Sequence, residues 1–269
     1  MERINAYKLI NNNSITISEN SSFYLDKDVI ANEINLFVLS RVNADLLLCE
    51  ISKDVTINLH VEESATLNIK GLINGESIKV NIFSKNAQNS NISLHFVDFS
   101  SGKSFIYVNG DMQEIGATYT WQIASLAAHN DDKKIHVNLE HLSTNLYGDV
   151  SSYGVCKDEA KLEIAGTTHI ANGASKTVTK QNARIMLVNE TSRGIAKPIL
   201  KIDENDVKAS HGASLGQINE EHLFYLKSRG LSETEAKKLI VLGYFNPVIL
   251  LFKDEVVEEY IYTLLKERV

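Results

Sequence analysis

The chain has 269 residues, enough to bury a large core in one or two domains. Its 27 basic and 34 acidic side chains give a formal charge of -7, which repels phosphate backbones and argues against general nucleic-acid binding. Only two cysteines, Cys49 and Cys156, are present, so a disulfide framework is excluded, and no apolar run is long enough for a transmembrane helix.

The N-terminus, Met1-Glu-Arg-Ile-Asn5, lacks the apolar stretch of a signal peptide, so a cytoplasmic location is expected. From about Ser14 to Ile202 apolar residues alternate with polar ones. Ile15 and Ile17 begin the pattern. Val55, Ile57, Leu59 and Val61 continue it, as do Ala65, Leu67 and Ile69, then Ile78, Val80 and Ile82. Ile92, Leu94 and Phe96 follow, and later Ile135, Val137 and Leu139. A period of two predicts half-buried strands. The separators are Asn-, Ser- and Gly-rich, as in Asn11-Asn-Asn-Ser14, Ile73-Asn-Gly-Glu76 and Lys85-Asn-Ala-Gln-Asn-Ser90. Such residues accept the left-handed conformation of tight corners. Short strands with Asn-rich corners fit a parallel β-helix, and a sandwich of antiparallel sheets gives much the same one-dimensional pattern.

Several local patterns invite chemistry and lose it on inspection. Ser101-Gly-Lys-Ser104 ends like a phosphate-binding loop, but Val97 stands where the first glycine belongs, so it reads as a turn. His136 and His141 are an odd number of residues apart on a strand, which points them to opposite faces, and His129, His60, His95 and His169 read as ordinary polar positions. Glu140 and Asp149 are the kind of acid pair a carbohydrate-active β-helix uses, although nothing singles them out among the other acids. Cys49 and Cys156 read as buried small hydrophobes outside any ligand cluster.

After Leu215 the pattern turns helical. Asn219 caps a helix running to Gly230, and Ser232-Glu-Thr-Glu235 is a capping box that opens Ala236–Leu242, with Gly243 as its stop. Asn246-Pro247 opens a further turn, Val248–Phe252. A last helix over about Asp254–Glu267 places Val256, Val257, Tyr260, Ile261, Leu264 and Leu265 on an apolar side. Between strands and helices lies Ser210-His-Gly-Ala-Ser214. There His211 sits beside Gly212, at what the sequence marks as a strand-to-helix junction. From the residues alone, His211 is a turn-fixing histidine or a metal- or sulfur-handling one.

Several tracts in the same order resemble the SufB/SufD family, subunits of an iron–sulfur cluster assembly machine. They are Ala174-Ser-Lys-Thr-Val-Thr-Lys-Gln-Asn-Ala-Arg-Ile-Met-Leu-Val-Asn189, Lys197-Pro-Ile-Leu-Lys-Ile-Asp-Glu-Asn-Asp-Val-Lys208, Ser210-His-Gly-Ala-Ser214, Phe224-Tyr-Leu-Lys-Ser-Arg-Gly-Leu-Ser232 and Glu235-Ala-Lys-Lys-Leu239. The SufD branch is the better match. The resemblance implies an all-β core, a right-handed parallel β-helix over residues 1–214, with an α-helical subdomain over 215–269. It implies a non-catalytic partner subunit that binds the SufC ATPase through the helices. The implied contacts are Phe224, Arg229, Gly230, Glu235, Tyr244 and Phe245, at or just behind the surface. It also implies a dimer, with a SufB homologue or a second copy, made by pairing sheet edges near Asp203–Ala213. His211, Lys208, Ser210 and Gly212 would lie at that interface, with His211 as a metal ligand for iron or an iron–sulfur cluster held there transiently. No stably bound cofactor, nucleic acid or membrane partner is implied. Many SufD proteins carry cysteine where Ala209 stands, so a thiol role is absent at that position. Longer members begin with a helical region, and this chain is expected to be a compact member. The rival reading is a β-helix carbohydrate-active enzyme, which needs clustered carboxylates on one face.

Overall fold

The computed structural model describes residues 13–28 and 30–269; Met1–Asn5 and Asn11–Asn12, read above, lie outside them. Odd-numbered strands form one parallel sheet. They are β1 (Ser14–Ile17), β3 (Glu33–Val38), β5 (Val55–Val61), β7 (Lys79–Asn86), β9 (Lys103–Met112), β11 (Asp132–His141), β13 (Lys161–Ile170) and β15 (Arg193–Ile202). Even-numbered strands form the second. They are β2 (Ser21–Leu25), β4 (Asn43–Ile51), β6 (Thr66–Ile73), β8 (Asn91–Asp98), β10 (Thr118–Ala127), β12 (Tyr147–Cys156), β14 (Val178–Leu187) and β16 (Lys208–Gln217). Each strand pairs in parallel with the strand one coil away, so the chain winds as a β-helix and not as a sandwich of hairpins.

The period-two residues explain the coil. Ile34, Leu36, Leu46, Ile57, Leu59, Leu67, Ile69, Leu94, Tyr119, Trp121, Ile135 and Val137 all point between the two sheets and fill one continuous core. Stacking puts like on like, since Ile34 pairs with Ile57 and Leu36 with Leu59 in register. The corners stack as well. Arg41, Ser64, Asn89, Gly116 and Asn145 each have positive φ, and each donates its N–H to the next coil's corner, to Glu63, Gln88, Ile115, Thr144 and Ser175 oxygens respectively. A left-handed residue turns the chain, and its N–H is then satisfied by the neighbouring coil. Ser101-Gly102 is one such turn: Gly102 has φ +71 and donates to Asp131 Oδ1 at 2.7 Å.

The helical end consists of α1 (Glu220–Ser228), α2 (Glu233–Ile249), a single 3-10 turn (Leu250–Phe252) and α3 (Glu255–Arg268). Asn219 and Ser232 cap the first two helices as the sequence predicts, with the full capping box at Ser232–Glu235, and Asp254, expected as the first residue of the last helix, is its cap. Two expected breaks do not occur. α2 runs straight through Gly243 and Pro247. Val241, Phe245, Val248 and Ile249 anchor it against the second sheet, and that burial outweighs the cost of a glycine and of one missing N–H near its end. The outer face of the second sheet offers Leu72, Val97, Ala124, Leu126, Val155 and Met186 to these helices, making a second apolar core. Polar ties join the layers: Lys70 Nζ donates to the Phe252 oxygen at 2.7 Å, and Arg268 donates to the Phe99 oxygen and Asn74 Oδ1. In α3 only Ile261 and Leu265 are buried; Val256 and Tyr260, expected on the apolar side, are exposed because the sheet meets the opposite flank.

Candidate functional site

The strand row ends at β15 and β16, and among the described residues nothing covers their outer edges. β16 extends to Gln217, so His211 lies in mid-strand. It is not at a strand-to-helix junction, and Gly212 has no special φ. The alternation of apolar and polar residues that marks earlier strands is weak in Lys208–Gln217, so the pattern fades after Ile202 although the strand runs past the expected core limit at residue 214 to Gln217.

Register fixes where each side chain points. The column Trp121, Val150, Gln181, His211 runs along one line of the second sheet. Gln181 and its predecessors are buried between the sheets, so His211 continues an interior column at the coil's open end and is therefore exposed. The interior changes character there. Thr168 and Gln181 take the register places of Leu139 and Val150 in the preceding coil, Thr168 Oγ1 donates to Gln181 Oε1 at 3.3 Å, and Thr179 is buried on the same strand as Gln181. Lys208 N–H donates to the Thr177 oxygen at 2.9 Å, Ser210 pairs with Lys180, and a side chain at Gly212 would meet Asn182 Oδ1 at 3.2 Å. His211, Lys208, Ser210 and Gly212 thus share one strand, as the sequence reading placed them together.

The backbone of this end is also asymmetric. Lys208 and Ile218 donate to Thr177, just before β14, and to Leu187 at its end. Alternation along a parallel strand therefore turns the N–H groups of Ala209, His211, Ala213, Leu215 and Gln217 outward. On β15, Arg193 and Asp203 donate to β13, at Ala160 and Ile170 oxygens, so Gly194, Ala196, Pro198, Leu200 and Ile202 hold the outward positions. Pro198 therefore loses no ladder bond, and it also interrupts the free edge of β15, as edge prolines do. β16 keeps an unbroken row of donors. The expected pairing tract Asp203–Ala213 is in fact split, since Asp203–Val207 is a corner and Lys208 starts the strand.

The helical candidates divide. Phe224 is 75 % exposed, and Arg229, Gly230 and Glu235 are on the surface. Arg229 lies over the Tyr225 ring at 5.5 Å, Gly230 takes φ +96 behind the α1 cap, and Glu235 closes the capping box. Tyr244 packs edge-on to Tyr153 at 5.9 Å, and Phe245 is wholly buried, so these two hold α2 to the sheet. Tyr225, Leu239, Leu250, Val256 and Tyr260 are exposed apolar residues that the sequence reading did not select. Only the sheet's position shows which helix flank is free.

The remaining candidates scatter. Glu140 faces out from the first sheet and Asp149 from the second, where it pairs with Lys180 at 2.9 Å, so they form no acid pair. His136 faces out to Glu163 while His141 is buried inside, on opposite faces as expected. Cys156 is buried and Cys49 only half-buried; burial pushes both thiols up to about 11, so neither offers a thiolate near neutral pH. Among the described residues no three His, Cys, Asp or Glu side chains are grouped to hold a metal, so His211 belongs to no such group there.

A domain family described as the SufBD core of SUF-system iron–sulfur cluster assembly matches residues 47–244. The chain belongs to the SufB/SufD family. It is 36 % identical over 129 residues to the iron–sulfur cluster assembly protein SufD of Bacillus subtilis, covering 48 % of this chain and 30 % of that protein. It is 27 % identical over 172 residues to SufD of Escherichia coli, 63 % of this chain and 41 % of that protein. It is 28 % identical over 145 residues to SufB of Bacillus subtilis, 54 % and 30 % of the two chains. These matches thus span well under half the length of each relative. Family membership and the parallel β-helix agree with the sequence reading. No helix among the described residues is long and apolar enough to cross a membrane.

Proposed function

We propose that this chain is a SufD-like, non-catalytic partner subunit in iron–sulfur cluster assembly. It docks through the free edge of β16 onto a SufB-type partner or a second copy of itself. The observation that carries this reading is the uncovered last coil, whose outward N–H groups at Ala209, His211, Ala213, Leu215 and Gln217 lie in one row with the exposed His211 ring among them. Unpaired edges demand a partner, and strand addition is the direct way to supply one. His211 then sits where two coil ends meet. Its imidazole takes iron or sulfur as cargo together with ligands from the partner, since no three His, Cys, Asp or Glu side chains are grouped around a metal position among the described residues.

The same reading gives the helical end to an ATPase of the SufC type. Phe224, Tyr225, Leu239 and Leu250 are large apolar side chains left exposed on the helices, surface that a protein partner would cover. The cell compartment proposed is the cytoplasm. Co-expression with SufB- and SufC-type proteins tests the whole assignment. Recovery of a complex containing all three supports it, while a chain that purifies alone and does not change the partners' association overturns it.

A further inference from the structure

Glu140 on β11 and His169 on β13 are register partners on the outer face of the first sheet; Lys201 holds the next register position on β15, and Asp203, just past the end of β15, reaches the ring diagonally. His169 Nδ1 is 2.6 Å from Glu140 Oε2, and His169 Nε2 is 2.9 Å from Asp203 Oδ2. The ring is 17 % exposed. A neutral imidazole has one N–H, so with a carboxylate against each nitrogen only the doubly protonated ring donates to both. Removing either proton sets a lone pair against a carboxylate oxygen at hydrogen-bond distance.

The other charged and titratable groups around the ring are few. Lys201 on β15 is 4.0 Å from Asp203 and competes for it. Asp111 on β9 stands beside Glu140 in register. From inside the wall, His141 Nδ1–H donates to the His169 carbonyl oxygen at 3.0 Å, and burial pushes His141 down to about 4, so that ring is neutral. Glu204 is occupied by the backbone N–H groups of Gly173, Asn205 and Asp206. The hydrogen bond to Asp203, together with Glu140, raises His169 above the ordinary histidine value.

Asp203 opens the corner that leads into β16. Other ties at this corner are Asp203 N–H to the Ile170 oxygen, Gly173 N–H to Glu204 and Lys176 N–H to the Asp206 oxygen. Backbone donors and surface carboxylates keep their state near neutral pH, so the His169 pair is the tie that a proton operates.

We propose that His169 is a proton-operated latch: doubly protonated, it fastens the Asp203 corner to Glu140 and keeps the β16 edge in its docking position, and deprotonation loosens that edge. The inference rests on the docking role proposed for β16. The sign follows from the raised folded value. The stabilisation is complete below the ordinary histidine value, where folded and unfolded rings are both charged, and is lost as pH rises through the folded value.

The test uses the full chain without a partner. His169 ring nitrogens are titrated by NMR, and amide exchange protection of Lys208, Ser210, Gly212 and Ser214, which face β14, is measured across the same pH series after correction for intrinsic rates. Wild type is expected to titrate above the ordinary value and to lose about tenfold in protection across that midpoint. Asp203→Asn should return the titration towards the ordinary value, and His169→Gln should make the protection independent of pH. A wild-type ring that titrates at or below the ordinary value overturns the latch, as does a His169→Gln chain with the wild-type pH curve. Association with a SufB-type partner is followed separately. Association that stays flat while protection changes refutes the docking role of β16 and leaves the latch standing.

Discussion

Ala213→Pro separates edge docking from folding, because the Ala213 N–H faces away from β14 and bonds nothing within the described chain. A proline there removes one outward donor and puts its ring where a partner strand would lie. The preceding residue, Gly212, accepts the extended conformation that a following proline requires. No bond of the β14–β16 ladder is lost, so unfolding should change by less than about 1 kcal/mol, the range of surface substitutions. In the complex one strand-pairing bond disappears, about 0.5–1.5 kcal/mol net, and the ring holds the adjacent bonds apart by a similar amount. About 1–3 kcal/mol in all corresponds to association weakened some 5- to 150-fold. Sedimentation or titration calorimetry with the partner, or dilution of the self-associated chain, reads the change, with Ser214→Pro as the converse control. Ser214 faces β14, so its proline variant should lose stability first. If Ala213→Pro associates within twofold of wild type while keeping its fold, the β16 edge is not the docking surface.

Four further outcomes follow from named contacts. Phe245 is fully buried between α2 and the second sheet, so Phe245→Ala should cost about 3–5 kcal/mol in urea unfolding; an unmoved midpoint would show that the tail does not pack there. Lys133 and Asp98 are each 1 % exposed and paired at 3.1 Å, so Lys133→Met should strand a buried carboxylate at about 3–5 kcal/mol, and adding Asp98→Asn should recover most of that loss. His141 is fully buried and pushed down to about 4, so the unfolded chain binds the extra proton. Stability should therefore fall by about 3 kcal/mol as pH drops from the ordinary histidine value towards 4, and His141→Gln should flatten that limb of the melting curve. His211→Ala should leave the melting temperature within about 2 °C, since the ring is exposed, yet depress cluster assembly by the reconstituted complex; a large loss of stability with normal assembly would return His211 to a purely structural role.

The sequence by itself determined the local grammar of this protein. Alternation at Val55–Val61 and Ile135–Leu139 fixed which side chains enter the core, because a strand's period is two whatever its neighbours are. Asn219, Ser232 and Asp254 fixed the helix starts, because capping is a bond between residues two or three apart. The ordered tracts from Ala174 to Leu239 carried the family. What only the tertiary structure decided is non-local. The partners of His169 lie 29 and 34 residues away and meet it only because each coil returns the chain to the same line. His211 became an open-end residue through the register of β16 on β14, and Lys208–Gln217 is a strand despite its weak alternation because β14 supplies the ladder. α2 crosses Gly243 and Pro247 because the second sheet offers an apolar surface long enough to hold it, and the same surface turns Val256 and Tyr260 outward. In α2 the local penalty is about 1 kcal/mol for the glycine and about 3 kcal/mol for the proline, while burial of Val241, Phe245, Val248 and Ile249 contributes more than both together, so packing decides.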